Sequence, residues 1–230
     1  MPMRMRTMMR GRGLIGASIG RAYCRRRDKN SARRSCALEK SECTVTHMVT
    51  LSTSESRRPL VAASALAEFA GRGYHGTTVA DVARAARISP AYVFKLFPSK
   101  EKLFVAAFEL CTERIVETLS AGADASTDTD PDAVLDAMGG AYAQLIADRS
   151  LLMLQVHAQS VAEIPEIGQA LRTGLAAITR FAKTRSGASD EAVQHFVAYG
   201  QLCHLIVTAG IVDAPDEWAR ILSRGIRHPD

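Results

Sequence analysis

The stretch from Thr77 to Phe104, "TTVADVARAARISPAYVFKLFPSKEKLF", contains three helix starts in 28 residues. Thr78 is followed three residues later by Asp81, which is the arrangement of a capping box. Ser89 precedes a proline, and Ser99 follows one, so each is a good N-cap. The helices that these signals delimit are about seven residues long. Helices this short are marginal alone, so they must be held by their neighbours.

A longer amphipathic segment precedes this stretch. From Arg57 the sequence places apolar residues on one helical face until Gly71 and Gly73 end the helix. The face comprises Val61, Ala65, Leu66 and Phe69. A second helix follows Thr78, and a third is predicted over Pro90–Leu96, with Val93 and Phe97 buried. Three helices over residues 57–104 are therefore expected to pack together.

Two short helices braced by a third form a helix-turn-helix, whose second helix enters the major groove of DNA. The solvent side of the predicted third helix is formed by Ser89, Ala91, Tyr92 and Lys95, with no acid among them. Lys100 and Lys102 open the next helix, where they can meet phosphate. The alternative is an ordinary short core helix in an α-bundle.

Charge is unevenly distributed along the chain. Residues 1–47 carry 12 basic and 3 acidic side chains, and residues 57–104 carry 8 and 3. Residues 105–230 carry 9 basic and 17 acidic side chains. This asymmetry indicates that one part of the chain meets a polyanion and the rest does not.

Cysteine usage and motif content exclude several classes of site. The five cysteines form no CxxC pair, which favours reduced thiols in a cytoplasmic protein. No HExxH, GxSxG or phosphate-loop motif is present, so we expect no metal, no cofactor and no enzymatic activity. No uncharged apolar run of eighteen residues occurs, so no membrane association is expected.

Residues 1–56 are predicted to be a basic, disordered extension. The segment is rich in Arg and Met and has no sustained period. Met48 is the favoured true start, with a disordered basic arm as the alternative. The composition also superficially fits a transit peptide.

The rest of the chain, from Ser99 onwards, is predicted to form further helices, so the predicted fold class is all-α. Helices are expected from Ser99 to about Ser120, from Asp130 to about Asp148, from Ser150, from Pro165, from Ser189 and from Pro215, the last containing Trp218. The small, polar and acidic residues from Ser120 to Asp132 are expected to form a loop.

Residues 57–117 resemble the DNA-binding domain of the tetracycline-repressor (TetR/AcrR) family of bacterial transcription regulators. The shared motifs are G-Y-x-x-T-T-V, V-A-x-x-A-x-I-S and F-P-S-K-E-x-L. The resemblance implies a three-helix DNA-binding domain over 57–104 and a helical ligand-binding and dimerisation domain over 105–230. It also implies a homodimer that a small-molecule effector releases from an operator.

Ten residues are predicted to contact DNA, from the resemblance, the basic character of the segment and its helix N-termini. They are Arg57, Thr77, Thr78, Ser89, Pro90, Ala91, Tyr92, Phe94, Lys95 and Lys100. The family often has Tyr at the position of Phe94 and His or Tyr at that of Leu96. Because Phe94 has no hydroxyl to donate to a phosphate, any contact it makes is through its ring.

The carboxyl-terminal half yields weaker predictions. Seven candidates line an effector pocket or, equally, the core: Met138, Tyr142, Leu145, Met153, His157, Phe181 and Tyr199. Five candidates form a dimer interface: Phe196, Gly200, His204, Val207 and Trp218. The alternative for the helix after Ser189 is the centre of a monomeric bundle.

The sequence therefore predicts a homodimeric, ligand-responsive regulator, most simply a repressor, of a near-palindromic double-stranded DNA operator. One rival is an architectural DNA-binding protein that uses the basic arm without regard to sequence. A second rival is an all-α enzyme with an accessory DNA-binding module.

Overall fold

The computed structural model describes residues 53–226, which form α-helices, one 3₁₀ turn and no strand. The helices are α1 (Thr53–Gly76), α2 (Val79–Ala85), α3 (Pro90–Leu96), α4 (Lys100–Ala125), α5 (Pro131–Leu145), α6 (Arg149–Ser160), α7 (Pro165–Ser186), α8 (Asp190–Thr208) and α9 (Glu217–Ser223). The 3₁₀ turn, Ile211–Asp213, lies between α8 and α9. The predicted all-α fold is confirmed. The predictions for residues 1–52 lie outside the described residues.

The start of α2 is a complete capping box. The Asp81 amide donates to Thr78 Oγ1 over 3.2 Å, and the Thr78 amide donates to Asp81 Oδ2 over 2.9 Å. The Thr78 hydroxyl and the Arg84 guanidinium also donate to this carboxylate. These bonds, the one from the Thr78 side chain foremost, hold the pKa of Asp81 well below its usual range. The predicted capping box is therefore formed, with both of its reciprocal hydrogen bonds.

The start of α3 also matches its sequence signal. Ser89 Oγ accepts a hydrogen bond of 3.2 Å from the Tyr92 amide, and Pro90 occupies the first turn. Val93 and Leu96 are buried, as is Phe97, which ends the helix. Ser99 caps α4 in the same manner, accepting from the Lys102 amide. The two seven-residue helices, α2 and α3, therefore each begin at a side-chain cap and bury one face.

A cluster of three aromatic rings joins α1 to α4. The Phe69 and Phe104 ring centroids lie 4.9 Å apart in an edge-to-face arrangement. The Tyr74 ring meets Phe104 edge-on at 5.6 Å. Each buried ring contributes about 1.5–3 kcal/mol by its removal from water, and the edge-to-face pairs add to this. Because α1 also packs against α2 and α3, the cluster anchors the amino-terminal helices.

Helix α4 is longer than predicted. It continues to Ala125, whereas the sequence predicted a loop from Ser120, so this prediction is wrong. A Cβ added at Gly122 would lie 2.7 Å from the Ala141 Cβ, which shows how closely α4 and α5 approach. Gly122 and Ala123 are therefore buried, and this packing sustains a helix that the local composition does not favour.

The carboxyl-terminal helices pack around α4. It contacts α5, α6 and α7, while α8 packs against α5, α6 and α7. The proposed boundary between residues 104 and 105 falls inside α4, so one continuous helix belongs to both proposed domains. No helix among residues 53–226 is long and apolar enough to cross a membrane.

A glycine breaks α1 near its end. Gly73 has φ 70° and ψ 178°, a conformation that is essentially restricted to glycine. It is buried, and a Cβ at this position would lie 3.2 Å from His157 Nδ1 on α6. Gly71, two residues earlier, is exposed, and a Cβ there would meet nothing within 4 Å. The two glycines therefore play different roles in the same turn.

We expect Gly73→Ala and Gly71→Ala to change stability in opposite directions. Gly73→Ala forces an alanine into a glycine-only conformation beside His157, so the free energy of unfolding should fall by about 3 kcal/mol. Gly71→Ala adds helix propensity without a clash, so the free energy of unfolding should rise by about 0.5–1 kcal/mol. Urea unfolding followed by circular dichroism measures both. Equal effects would show that the Gly73 backbone is not constrained.

Candidate nucleic-acid interface and ligand cavity

Helix α3 presents a short, acid-free face to solvent. Ser89, Pro90, Ala91, Phe94 and Lys95 are exposed. Tyr92 is partly buried against the core. Phe94 is 48% exposed, so the structure leaves a large apolar ring on the outward side. Such a face offers a cation, small side chains and an apolar surface to a partner.

The residues predicted to contact DNA from outside α3 differ in their exposure. Thr77 is fully buried, and its hydroxyl donates to the Glu68 carbonyl over 3.0 Å. Its buried side chain therefore ties the turn back to α1, and the DNA contact predicted for this residue stays a prediction. Arg57 and Thr78 are exposed, as expected for phosphate contacts.

Lys100 is engaged within the chain. Its ammonium lies 4.4 Å from the centroid of the Tyr74 ring, in a cation–π arrangement. Burial lowers the pKa of Lys100. The Tyr74 hydroxyl donates to Glu101, which holds the pKa of that carboxyl below its usual range. Lys100 therefore braces the start of α4 through its contact with the Tyr74 ring.

Arg58 connects α1 to the end of α3. Its guanidinium lies 4.5 Å from the Phe97 ring centroid and donates to the Leu96 carbonyl. This carbonyl belongs to the last turn of α3, where helices have unpaired acceptors. Arg58 therefore fixes the position of α3. Its role was not predictable from the sequence, because neighbouring arginines carry the same local signal.

The turn between α2 and α3 contains a residue in a left-handed conformation. Arg87 has φ 56°. The Ile88 amide donates to the Ala83 carbonyl, and the Arg87 amide donates to that of Arg84. These two bonds form a Schellman motif, which usually has glycine at the position of Arg87. The geometry of the turn therefore persists without its preferred residue.

A cavity of about 500 Å³ lies among α4, α5, α7 and α8. Its wall on α5 is formed by Asp132, Leu135, Asp136, Gly139, Gly140, Tyr142 and Ala143. The α8 side includes Ala192, His195, Phe196, Tyr199, Gly200 and Cys203. Ile115 and Leu119 of α4 and Leu175 and Ile178 of α7 add apolar surface. A cavity of this size and mostly apolar lining suits a small organic ligand.

A hydrogen-bonded trio adjoins the cavity. The Gln155 amide donates to the Leu151 carbonyl and to the Tyr142 hydroxyl, over 3.1 and 3.2 Å. The Tyr142 proton is then directed to His204 Nε2, 2.7 Å away. In this arrangement the His204 proton is on Nδ1, which has no partner in the described part of the chain. Burial lowers the pKa of His204 to about 4, so the ring is neutral near pH 7.

Two of the seven predicted pocket residues line this cavity, Tyr142 and Tyr199. Met138 is fully buried in the core, and Leu145, Met153 and Phe181 pack partly buried against it. His157 lies against Gly73 instead. The structure thus places these five away from the cavity wall.

The residues predicted to form a dimer interface also lie in different environments. Trp218 is 52% exposed, whereas Val207 and Gly200 are half-buried. Phe196 lines the cavity. His204 is buried and hydrogen-bonded to Tyr142, so its ring is engaged within the chain. The interface predicted from these residues stays a prediction.

Comparison with known proteins identifies the amino-terminal helices. Residues 61–107 match the family model described as bacterial regulatory proteins of the TetR family. The matched segment is of the TetR family. The match covers the last two thirds of α1, all of α2 and α3 and the start of α4. These are the helices that carry the caps and the acid-free face. A search of curated proteins gave no match.

Solved structures share the fold of this chain. A TetR-family regulator from Agrobacterium tumefaciens has a TM-score of 0.59 at 16% identity, covering 76% of this chain and 95% of that one. A transcriptional regulator from Pseudomonas aeruginosa has a TM-score of 0.55 at 18% identity, covering 74% and 88%. AibR, solved with isovaleryl coenzyme A and operator DNA, has a TM-score of 0.56 at 16% identity, covering 74% and 95%.

Several cavity residues were not predicted from the sequence. They include Asp132, Asp136, Gln155 and His195. The signal for the α5 wall was available, because residues 132, 136, 139, 140 and 143 recur at helical spacing. Among residues 53–226, no group of three metal-ligating side chains comes together.

We expect His204 to make the protein less stable in mild acid. Its folded pKa of about 4 lies below the ordinary 6.5, so the unfolded state binds more protons between these values. Stability is therefore retained above pH 6.5 and lost as the pH falls towards 4, by roughly 3 kcal/mol from this residue. Urea unfolding of His204→Gln at several pH values should show a shallower loss.

His75→Gln is the matched control, because His75 is exposed. Its loss of stability with acid should follow that of the parent protein. An equally steep loss in His204→Gln would contradict the assignment.

Proposed function

We propose that this protein is a ligand-responsive transcriptional regulator, most simply a repressor. It binds a near-palindromic double-stranded DNA operator as a homodimer, and a small apolar or amphipathic effector releases it. The observation that carries the proposal is the acid-free outward face of α3, capped at Ser89 and set in a TetR-family helix-turn-helix. A recognition helix reads bases from such a face, and twofold symmetry makes the operator palindromic.

Each part of the proposed operator contact has a candidate residue. Ser89, Ala91, Tyr92 and Lys95 face base edges, and the exposed Phe94 ring suits a thymine methyl group. Arg57 and the amino-terminal ends of α2 and α4 meet phosphates. Phosphate contacts make the affinity fall steeply with salt.

The effector half of the proposal rests on the cavity and on α4. Residues 57–104 form the proposed DNA-binding domain, and residues 105–230 the ligand-binding and dimerisation domain. Ile115 and Leu119 line the cavity on the same helix whose first turn braces Tyr74. AibR, a structural neighbour, holds isovaleryl coenzyme A and operator DNA together in its crystal structure. An effector acts only if it binds one arrangement of the DNA-binding heads better than another.

The homodimer is supported by exposed apolar side chains near the carboxyl terminus. Leu205 on α8 is 52% exposed, and Trp218 and Ile221 on α9 are more than half exposed. Large apolar side chains exposed on neighbouring elements mark an interaction surface. We infer that α8 and α9 of two chains pair through these residues.

A second candidate is a sequence-indifferent architectural DNA-binding protein. The 12 basic residues among positions 1–47 favour it. The acidic excess of residues 105–230 opposes it, because those residues repel the DNA backbone.

Selection of bound duplexes from a random pool separates these candidates. We expect the full chain to recover a palindromic consensus. A protein starting at Met48 should recover the same consensus with similar affinity at matched salt. Unselected sequence from both proteins would support the architectural candidate. A consensus from the full chain alone would show that the residues before Met48 take part in binding.

We expect Tyr92→Ala and Lys95→Ala each to weaken binding to the selected operator by about 1–3 kcal/mol, the usual scale of a good base contact. Fluorescence anisotropy over a range of salt concentrations provides the measurement. If Lys95 meets a phosphate, the slope of log K against log salt should fall by about 1, whereas a base contact leaves the slope unchanged.

Tyr92→Phe separates the hydroxyl from the packing of the ring, which is partly buried. Arg180→Ala, which removes an exposed cation from α7, is the control and should bind as the parent does. Unchanged binding by both alanine variants would remove α3 from the recognition role.

We expect Leu205→Glu to dissociate the dimer at micromolar concentration, because it buries a charge in an apolar interface. Sedimentation velocity measures the change. Leu60→Glu alters an equally exposed apolar residue on α1 and should leave the dimer intact. A dimer unaffected by Leu205→Glu would place the interface elsewhere.

A further inference from the structure

The turn between α2 and α3 contains a residue whose backbone conformation favours glycine. Arg87 has φ 56°, and among residues 53–226 it is the one residue other than glycine with a positive φ. The left-handed conformation costs an L-residue free energy that glycine avoids. The turn is held in place, because the Ile88 amide donates to the Ala83 carbonyl and the Ile88 side chain packs against the core. Arg87 therefore keeps this conformation as long as α2 and α3 are folded.

The Arg87 side chain has no contact within the chain that explains its presence. It is exposed, and it makes no hydrogen bond or ion pair within residues 53–226. The acidic residues of the segment 57–104 are Glu68, Asp81 and Glu101, and all three bond to other side chains. The positive charge of Arg87 is therefore available to an anion outside this segment.

Arg87 lies beside the surface that we propose to meet DNA. It precedes Ser89, the N-cap of α3, by two residues, so their Cα atoms lie no more than about 7 Å apart. The major groove is about 12 Å wide, and phosphates follow both of its edges. A long cationic side chain this close to the start of α3 reaches a phosphate when that end of the helix enters the groove. Arginine suits the contact, because its guanidinium binds phosphate oxygens in pairs.

We propose that Arg87 is a phosphate-contacting residue of the DNA interface, and that it is kept in the turn at a cost in stability. This inference rests on the proposed function, since it adds a residue to the same DNA-binding surface. Glycine at this position would stabilise the turn and lose the contact. The alternative is a purely structural charge, because a cation at the carboxyl-terminal end of α2 interacts favourably with the helix dipole.

Four substitutions separate the charge of Arg87 from its backbone conformation. Arg87→Lys keeps both the charge and the unfavourable conformation, and Arg87→Ala removes the charge alone. Arg87→Gly removes the charge and the conformational cost, and Arg87→Asn removes the charge and part of that cost. DNA affinity should therefore follow the charge, whereas thermal stability should follow the conformation.

Fluorescence anisotropy with the full chain and the selected operator measures the contact. We expect the alanine, asparagine and glycine variants to bind about tenfold more weakly at about 0.1 M salt. The slope of log K against log salt should become shallower by about 1 for each Arg87 on the operator, or about 2 for the proposed dimer. Arg87→Lys should keep the full slope. Arg180→Ala, from an exposed position on α7, is the control and should keep both affinity and slope.

Thermal unfolding of the same proteins at one protein concentration measures the cost. Arg87→Gly should raise the Tm by about 2–4 °C, because it relieves one left-handed residue in a chain of this size. Arg87→Ala should not raise the Tm. Equal Tm values for these two variants would contradict the cost in stability.

The affinities decide whether Arg87 contacts DNA. Unchanged affinity and salt slope in Arg87→Gly and Arg87→Ala overturn the proposal, and a lower Tm in Arg87→Ala would then identify the structural charge. A loss in Arg87→Lys as large as that in Arg87→Ala also overturns it. A duplex of unrelated sequence provides the same test, because a phosphate contact does not depend on base sequence. An absent operator consensus therefore contradicts the proposed function, while a shallower salt slope on that duplex still supports the Arg87 contact.

Discussion

The aromatic cluster of Phe69, Tyr74 and Phe104 is the contact on which the amino-terminal half depends. Helices of seven residues do not persist in water, so α2 and α3 exist only because they pack on a stable support. The cluster joins α1 and α4 into that support. It also positions the Tyr74 hydroxyl, which donates to Glu101 while its ring carries the Lys100 ammonium. The outward face of α3 therefore depends on this contact between α1 and α4.

Helix α4 links the two proposed functions physically. Its first turn packs against the aromatic cluster, and about four turns further on Ile115 and Leu119 form the cavity wall. Its end approaches α5 so closely that Gly122 leaves no room for a side chain. A second contact between the halves is that of Gly73 with His157. A ligand that moves α4 or α6 therefore acts on the elements that hold α3, without a separate transmitting segment.

The helix-turn-helix was predictable because its signals are local. Thr78, Ser89 and Ser99 are caps whose partners lie three residues away, and those bonds form as predicted. The burial of Val93 and the exposure of Lys95 follow from helical spacing. The fate of Thr77 was not predictable, because its partner is the Glu68 carbonyl nine residues away across a turn. The role of Arg58 was not predictable for the same reason, since its partners are 38 and 39 residues away along the chain.

By itself, the sequence determined the all-α class, the start of nearly every helix, and the small, acid-free character of the α3 face. These follow from side-chain caps, prolines and apolar spacing, which act within one or two turns. Only the tertiary structure decided that α4 continues past Ser120, that Tyr142 meets His204, and that Asp132 and Asp136 line a cavity. Those features depend on which helix faces are brought together, and apolar periodicity specifies a buried face without specifying what it packs against.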